Sequence, residues 1–282
     1  MKKLIYIFLL LSVFKARAQD GILFKIKYMP GYSYQMSSAI KFKINPSLSG
    51  DTAIINKIKA QGIQQPINLD IGMDVKSSVN TGKLNANKSF PITFIKGDAE
   101  INGTINGTVI PIPAHPSNGS KIYAHSLEDG TYRVDSVSGS TLKDTSTKFI
   151  SQMINSIQHQ VKFPEHPLKV GDSFTQEIPL NLPISANSIS IKIKVIYKLI
   201  SVSDGNAYFD MSQDLNMALT IKNVIVNLSG TGSGKMTYNI KNHFPSRYES
   251  ELNINLKGSV DKLNITATAV ISNINTTVVT SL

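Results

Sequence analysis

The chain has 282 residues and no cysteine. That absence excludes disulfides, thiol catalysis, thiolate metal sites and a lipid-modified N-terminal cysteine. Charge is also thin: Asp, Glu, Lys and Arg together make up 17% of the residues. No block of five basic residues occurs, and the lysines stand singly along stretches such as IKFKI (40–44) and IKIK (191–194). Nucleic-acid binding therefore lacks its electrostatic footprint. Long hydrophobic runs are missing too. The stretch Leu4–Phe14 would rise only about 16 Å as a helix, against a bilayer core of about 30 Å.

That short run has another reading. Lys2 and Lys3 precede it, and Ala16-Arg17-Ala18 follows it as a small-x-small cleavage site. This is the layout of a secretory signal peptide over residues 1–18, with Gln19 as the mature N-terminus. Cleavage would leave 264 of the 282 residues and remove Lys2, Lys3, Lys15 and Arg17, lowering the formal charge from +10 to +6. The expected location is the periplasm or the cell exterior. A chain of this length without disulfides has to rely on a buried core.

Strand periodicity fills the mature chain. Ile189, Ile191, Ile193, Val195, Tyr197 and Leu199 are apolar at every second position, with Lys192, Lys194 and Lys198 opposite. Alternation of that kind marks a strand with one buried face. Asp204-Gly205 then offers a tight turn, after which Ala207, Phe209 and Met211 resume the pattern. Leu252–Leu256 and Leu263–Ile271 form a second such pair. Ile22–Tyr28, Tyr32–Ile44, Ile67–Val79 and Phe90–Ile95 alternate in the same way. Helical periodicity is rare. Asp144–Val161 places Phe149, Ile150, Met153, Ile154, Ile157 and Val161 on one stripe, with Pro164 and Pro167 beyond it. Asp51–Ala60 is a shorter candidate, stopped by Gly62.

These patterns give a mainly β fold: a twisted antiparallel sheet, or an open barrel or sandwich, with one amphipathic helix packed on it. Residues 19–282 read as one β-rich domain. A second reading is two related halves, 19–142 and 162–282, joined by the helix 144–161.

Chemistry-bearing motifs fail on inspection. GTGSGK (230–235) suggests a phosphate loop, but the GxxxxGK[ST] spacing puts Ser229 where glycine is required and Met236 where a hydroxyl is required. The flanking residues alternate instead, so Gly230, Gly232 and Gly234 fall on the apolar face of a strand, or at a turn within it. Gly103 and Gly107 in INGTINGTV read likewise, with one Asn-Gly turn as the alternative. The five histidines form no HxH or HExxH pair, no GxSxG elbow occurs, and the acidic residues match no calcium loop. No catalytic residue, metal ligand or cofactor is expected.

One resemblance spans roughly Gly130–Ile240. FPEHPLKVGDSFTQEIPLNLPI (163–184), followed by YKLISVSDGNAYFDMSQ (197–213), is similar to an uncharacterised family of signal-bearing, β-rich exported bacterial proteins. In that family a helix leads to a Phe-Pro step, a K-[VI]-G-D-S-[WF] strand start and a turn into an A-x-[FI] strand. The family's plan resembles that of periplasmic carriers of lipid or lipoprotein, a likeness of fold only. The expected function is non-enzymatic binding of an apolar or amphipathic, lipid-like ligand. The alternative is an envelope scaffold that contacts another protein and has no ligand cavity. If the sheet and helix enclose a cleft, Phe149, Met153, Ile157, Met236 and Tyr238 are the candidates for its lining, though such residues equally fill a core.

Overall fold

A computed structural model describes residues 21–60, 65–111, 121–127, 131–138, 161–184, 187–221, 224–260 and 262–282. The helix expected over 144–161 lies outside them, apart from Val161. So do residues 1–18.

The described residues form one antiparallel sheet. Its strands are β1 (Tyr32–Gly50), β2 (Leu69–Thr81), β3 (Pro91–Ile105), the two-residue β4 (Thr108–Val109), β5 (Lys121–Ser126), β6 (Tyr132–Val137), β7 (Ser173–Ile184), β8 (Asn187–Ser203), β9 (Asn206–Ile221), β10 (Val224–Asn239), β11 (Phe244–Val260) and β12 (Leu263–Ser281). The order across the sheet is β6-β5-β3-β2-β1-β12-β11-β10-β9-β8-β7, with β4 beside β3. The chain thus starts at the centre, meanders out to β6, and restarts at the opposite edge with β7. It then meanders back until β12 pairs with β1 along the full 19-residue length of each, from Tyr32↔Ser281 to Gly50↔Leu263. The sheet does not close into a barrel: among the described residues β6 and β7 do not pair with each other.

Turn chemistry sets several registers. Asp204 and Gly205 both take positive φ (49° and 73°) and join β8 to β9 as a tight hairpin. Asn106 (50°) and Gly107 (80°) do the same between β3 and β4. Gly107 therefore belongs to a turn and not to the apolar strand face on which alternation had placed it, because only a left-handed pair reverses the chain in two residues. The short helix does form, as α1 (Thr52–Ala60). The Asp51 carboxylate accepts hydrogen bonds from the amides of Ala53 (2.9 Å) and Ile54 (3.4 Å) and so caps it. None of its residues is buried.

The two faces of the sheet differ. Along the paired central strands, Lys41, Lys43, Asp70, Asp74, Lys76, Asn253, Asn255, Lys257, Thr266 and Thr268 are exposed on the outer face. The inner face carries Ile40, Phe42, Ile71, Met73, Leu252, Ile254, Ala269 and Ile271.

What covers part of the inner face is residues 21–29. Their alternation predicts a strand, yet they join no ladder, making only one isolated bridge, Ile22 to Leu168. They cross the sheet as a strap. Phe24, 2% exposed, packs against Phe163, Phe209 and Tyr238, each at a ring separation of 5.2 Å. Tyr28, 3% exposed, packs against Tyr34, Phe94, Tyr132 and Phe244. Eight strand spacings separate β6, which bears Tyr132, from β9, which bears Phe209, about 38 Å in a flat sheet. Residues 24 to 28 span at most about 14 Å. The strap reaches both because the sheet curls around it. Alternation misled here because a strap laid on an apolar face also buries every other residue.

Glycines in β10 permit the curl. The strand runs unbroken through GTGSG, so no turn occurs there. A Cβ added to Gly232 would sit 2.5 Å from the Glu251 carbonyl oxygen and 2.5 Å from Gln213 Oε1; one on Gly230 would sit 2.5 Å from the Asn253 carbonyl oxygen. Only glycine lets β11 approach this closely. Gly232→Ala should therefore destabilise the protein by about 1–3 kcal/mol through overpacking. At about 2–4 °C per kcal/mol, thermal unfolding should show a clear loss; a melting point within one degree of wild type would contradict the close approach.

Candidate functional site

The strap divides the inner face into a sealed part and an open part. Beneath it lie two aromatic-rich clusters. One joins Phe24 with Val195, Tyr197, Leu199, Phe209, Met236 and Tyr238; the other joins Tyr28 with Tyr34, Val79, Ile92, Phe94 and Phe244. Hydrogen bonds fasten the strap over them. The Tyr238 hydroxyl donates to the Lys25 carbonyl at 2.6 Å. The Met29 amide donates to the Tyr34 hydroxyl at 2.7 Å, and the Thr81 hydroxyl donates to the Met29 carbonyl at 2.6 Å. Ile22 and Leu168 exchange amide–carbonyl bonds of 2.8 and 2.9 Å.

Beside the strap is an apolar cleft of about 210 Å3. Ile26 of the strap, Val161, Met36 of β1, Val75 of β2, and Phe244 and Tyr248 of β11 form much of its wall. Ser38, Ser77 and Asn275 supply polar atoms to it. Further along the strands, beyond the strap's reach, Ile40, Phe42, Ile44, Ile71, Met73, Ile254 and Leu256 are only half-buried. The apolar face thus continues along the same strands as the cleft wall.

Of the residues expected to line a cleft, Met236 and Tyr238 are described. They stand together on β10, each 1% exposed, in the sealed cluster under Phe24 and not in the cleft wall. Phe149, Met153 and Ile157 lie outside the described residues. Sequence reasoning missed Ile26, Met36, Val75, Phe244 and Tyr248. A signal was available for Met36 and Val75, which share the apolar parity of their strands. None was available for Ile26, whose place depends on a strap that reads as a strand.

A polar row borders the cleft. The Tyr248 hydroxyl faces Tyr197, Gln213 and Ser250. No contact of the Tyr197 hydroxyl with its neighbours has hydrogen-bonding geometry, and the Tyr197 hydroxyl, Gln213 Oε1 and Asn273 Oδ1 are buried without partners. Burial pushes the Tyr197 and Tyr248 hydroxyls above their ordinary range. It pushes Tyr34 and Tyr238 up to about 12, against the opposing effect of the hydrogen bonds they make with the strap backbone. Tyr28 is raised as well, by burial first and then by Tyr132 and Tyr34.

Among the described residues no three His, Asp or Glu side chains gather closely enough to hold a metal ion. His125 and Asp135 pair at 2.8 Å across β5 and β6, half-exposed at the edge of the sheet. No described helix is long and apolar enough to cross a membrane.

Comparison with known proteins gives little beyond this. Residues 127–245 match the model of a family of unknown function, DUF6263. No curated protein matches the chain. Among solved structures, the translocator domain of autotransporter NalP from Neisseria meningitidis aligns over 96% of this chain and 95% of its own, with 9% identity and a TM-score of 0.17. That likeness is too slight to bear on fold or function.

The tyrosines make stability sensitive to alkali. Each has a folded value above the ordinary 10.0, so the unfolded chain loses its tyrosine protons first as pH rises. The stabilisation is complete below pH 10 and falls away as pH climbs from 10 through about 12. Thermal melts across that range, read beside tyrosinate absorbance, should show unfolding and the ionisation of these groups together. Ionisation centred at pH 10 with an unchanged melting point would contradict their burial.

Proposed function

We propose that this chain is an exported, non-enzymatic binding protein for an amphipathic, lipid-like ligand. The observation that carries this reading is the cleft at Ile26, Met36, Val75, Phe244 and Tyr248, which shares its strands with the half-buried apolar residues Ile40, Phe42, Ile71 and Met73. At about 210 Å3 it is smaller than the roughly 300–1,000 Å3 of ordinary small-molecule pockets. One end of the ligand would seat there, and an apolar tail would lie along Ile40, Phe42, Ile71 and Met73. Burying such a tail yields about 0.8 kcal/mol per methylene, so a chain of eight or more carbons gives useful affinity without charged contacts. The polar outer face supports the same reading, since a β wall set in lipid carries its apolar residues outward.

Export rests on the pattern of residues 1–18. The scaffold alternative draws less support. Exposed aliphatic residues of the outer face, among them Ile196 and Ile200 on β8, Ile274 and Val278 on β12 and Val109 on β4, are spread over strands separated by several others. They make no single patch of the size that marks a protein interface.

Native mass spectrometry of the protein taken from its own cell envelope tests both parts. The expected species begins at Gln19 and carries a lipid-sized adduct that collisional heating releases. Retention of residues 1–18 would overturn export. Bare protein, together with no binding of a neutral fluorescent lipid probe, would overturn ligand binding in favour of the scaffold.

A further inference from the structure

The inner face is not uniformly apolar, and its polar side chains fall in adjoining rows. Strand register places Val75, Ser38, Asn275 and Tyr248 side by side across β2, β1, β12 and β11. The next row runs through Ile40, Asn273, Ser250, Gly234 and Met211. Gln213 stands opposite Gly232 in the row after that. The polar members are hydroxyls and amides. Charged residues of these strands point the other way, as Lys41, Asp74, Lys76, Lys235 and Glu251 do. On the strap, Lys25 and Lys27 alternate with Ile26 and are exposed.

Resting on the proposed ligand-binding reading, we propose that the head group bound here is uncharged and bears hydroxyl or amide N–H donors, as in a monoacylglycerol, and is neither a carboxylate nor a phosphate. Three features of the site argue for this. The first is the unpartnered acceptors. In the rows beside the cleft wall, Gln213, 9% exposed, and Asn273 carry buried amide oxygens without a hydrogen-bond partner. Leaving such groups unpaired is costly, and a ligand donor would relieve the cost. An ionised carboxylate or a phosphodiester only accepts hydrogen bonds, so it cannot satisfy an amide oxygen. The second is that, among the described residues, no Lys, Arg or His lines the cleft. An anion buried there would lose hydration with no ion pair to replace it. The third is that Tyr248, which lines the cleft, connects it to these atoms through its hydroxyl's approach to Gln213 and Tyr197. Gly232 makes room for the Gln213 amide, since an added Cβ would collide with Oε1.

The test is calorimetric titration of the mature protein at pH 8 with 1-monolauroylglycerol and with laurate, below their aggregation concentrations. The two share one tail and differ in the head, and laurate is ionised at that pH. The expected result is at least tenfold tighter binding of the glyceride. Equal affinities, or tighter laurate, would overturn the head-group inference while leaving the lipid-binding reading in place. Binding of neither would overturn both. Gln213→Leu gives a second measure. It removes a buried unpartnered amide and keeps the volume, so the melting point should hold or rise. Glyceride affinity should fall roughly five- to tenfold while laurate affinity stays unchanged. Unchanged glyceride binding in a folded Gln213→Leu protein would also overturn the inference.

Discussion

The architecture depends on the packing of Phe24 and Tyr28 against opposite sides of one curled sheet. An antiparallel meander with one apolar face must cover that face or remain a surface. Here nine residues do much of the covering. Phe24 lies 5.2 Å from Phe209 and Tyr238, and Tyr28 meets Tyr34, Phe94 and Tyr132. The Phe24 cluster draws on β8 to β11, and the Tyr28 cluster draws on β1, β2, β3, β5 and β6 together with Phe244 of β11. The backbone pairing of β1 with β12 joins the two meanders, β1–β6 and β7–β12, in the plane of the sheet, and the strap joins them across its hollow.

The site follows from the strap's limited reach. Among the described residues, nine cover one part of the inner face and leave the residues further along the strands half-buried. Alternation continues along β1 and β12 far past the strap, so the apolar face continues beyond these nine residues. The cleft lies at that boundary, with Ile26 on one side and Met36, Val75 and Tyr248 on the other. The polar side chains of Ser38, of Ser250 and Asn273, and of Gln213 occupy three successive rows beginning at the cleft wall. An apolar trough bordered by neutral hydrogen-bonding groups is suited to a molecule with a neutral head and a hydrocarbon tail.

Much of this was legible in the sequence because period-2 alternation and turn dipeptides are local signals. Ile189–Leu199, Asp204-Gly205 and Ala207–Met211 specify the β8–β9 hairpin down to its turn, and the β10 glycines read correctly as strand residues once the phosphate-loop spacing failed. The misses share a cause. Ile22–Tyr28 alternates as a strand does, and whether such a segment enters a ladder or lies across one depends on contacts with residues more than two hundred positions away, such as Lys25 with Tyr238. Gly107 was ambiguous because a repeated Asn-Gly pair fits a strand or a turn until the β3 partner is known. The cleft residues shared this dependence. Met36 and Val75 carried the right parity, but parity does not say which apolar positions the strap leaves open.

The central claim is that the strap couples the two meanders mechanically, and amide hydrogen exchange of a Phe24→Ala protein tests it most directly. Removing this ring takes away its contacts with Phe163, Phe209 and Tyr238 and leaves the ring contacts of Tyr28 with Tyr34, Phe94, Tyr132 and Phe244 in place. If the strap is a tie, exchange should quicken in β9 and β10 and also in β6, over Tyr132–Val137, at the opposite edge of the sheet where Tyr28 holds Tyr132. If exchange quickens only in β9 and β10 while β6 keeps its wild-type protection, the strap is a local filler, and the coupling does not exist.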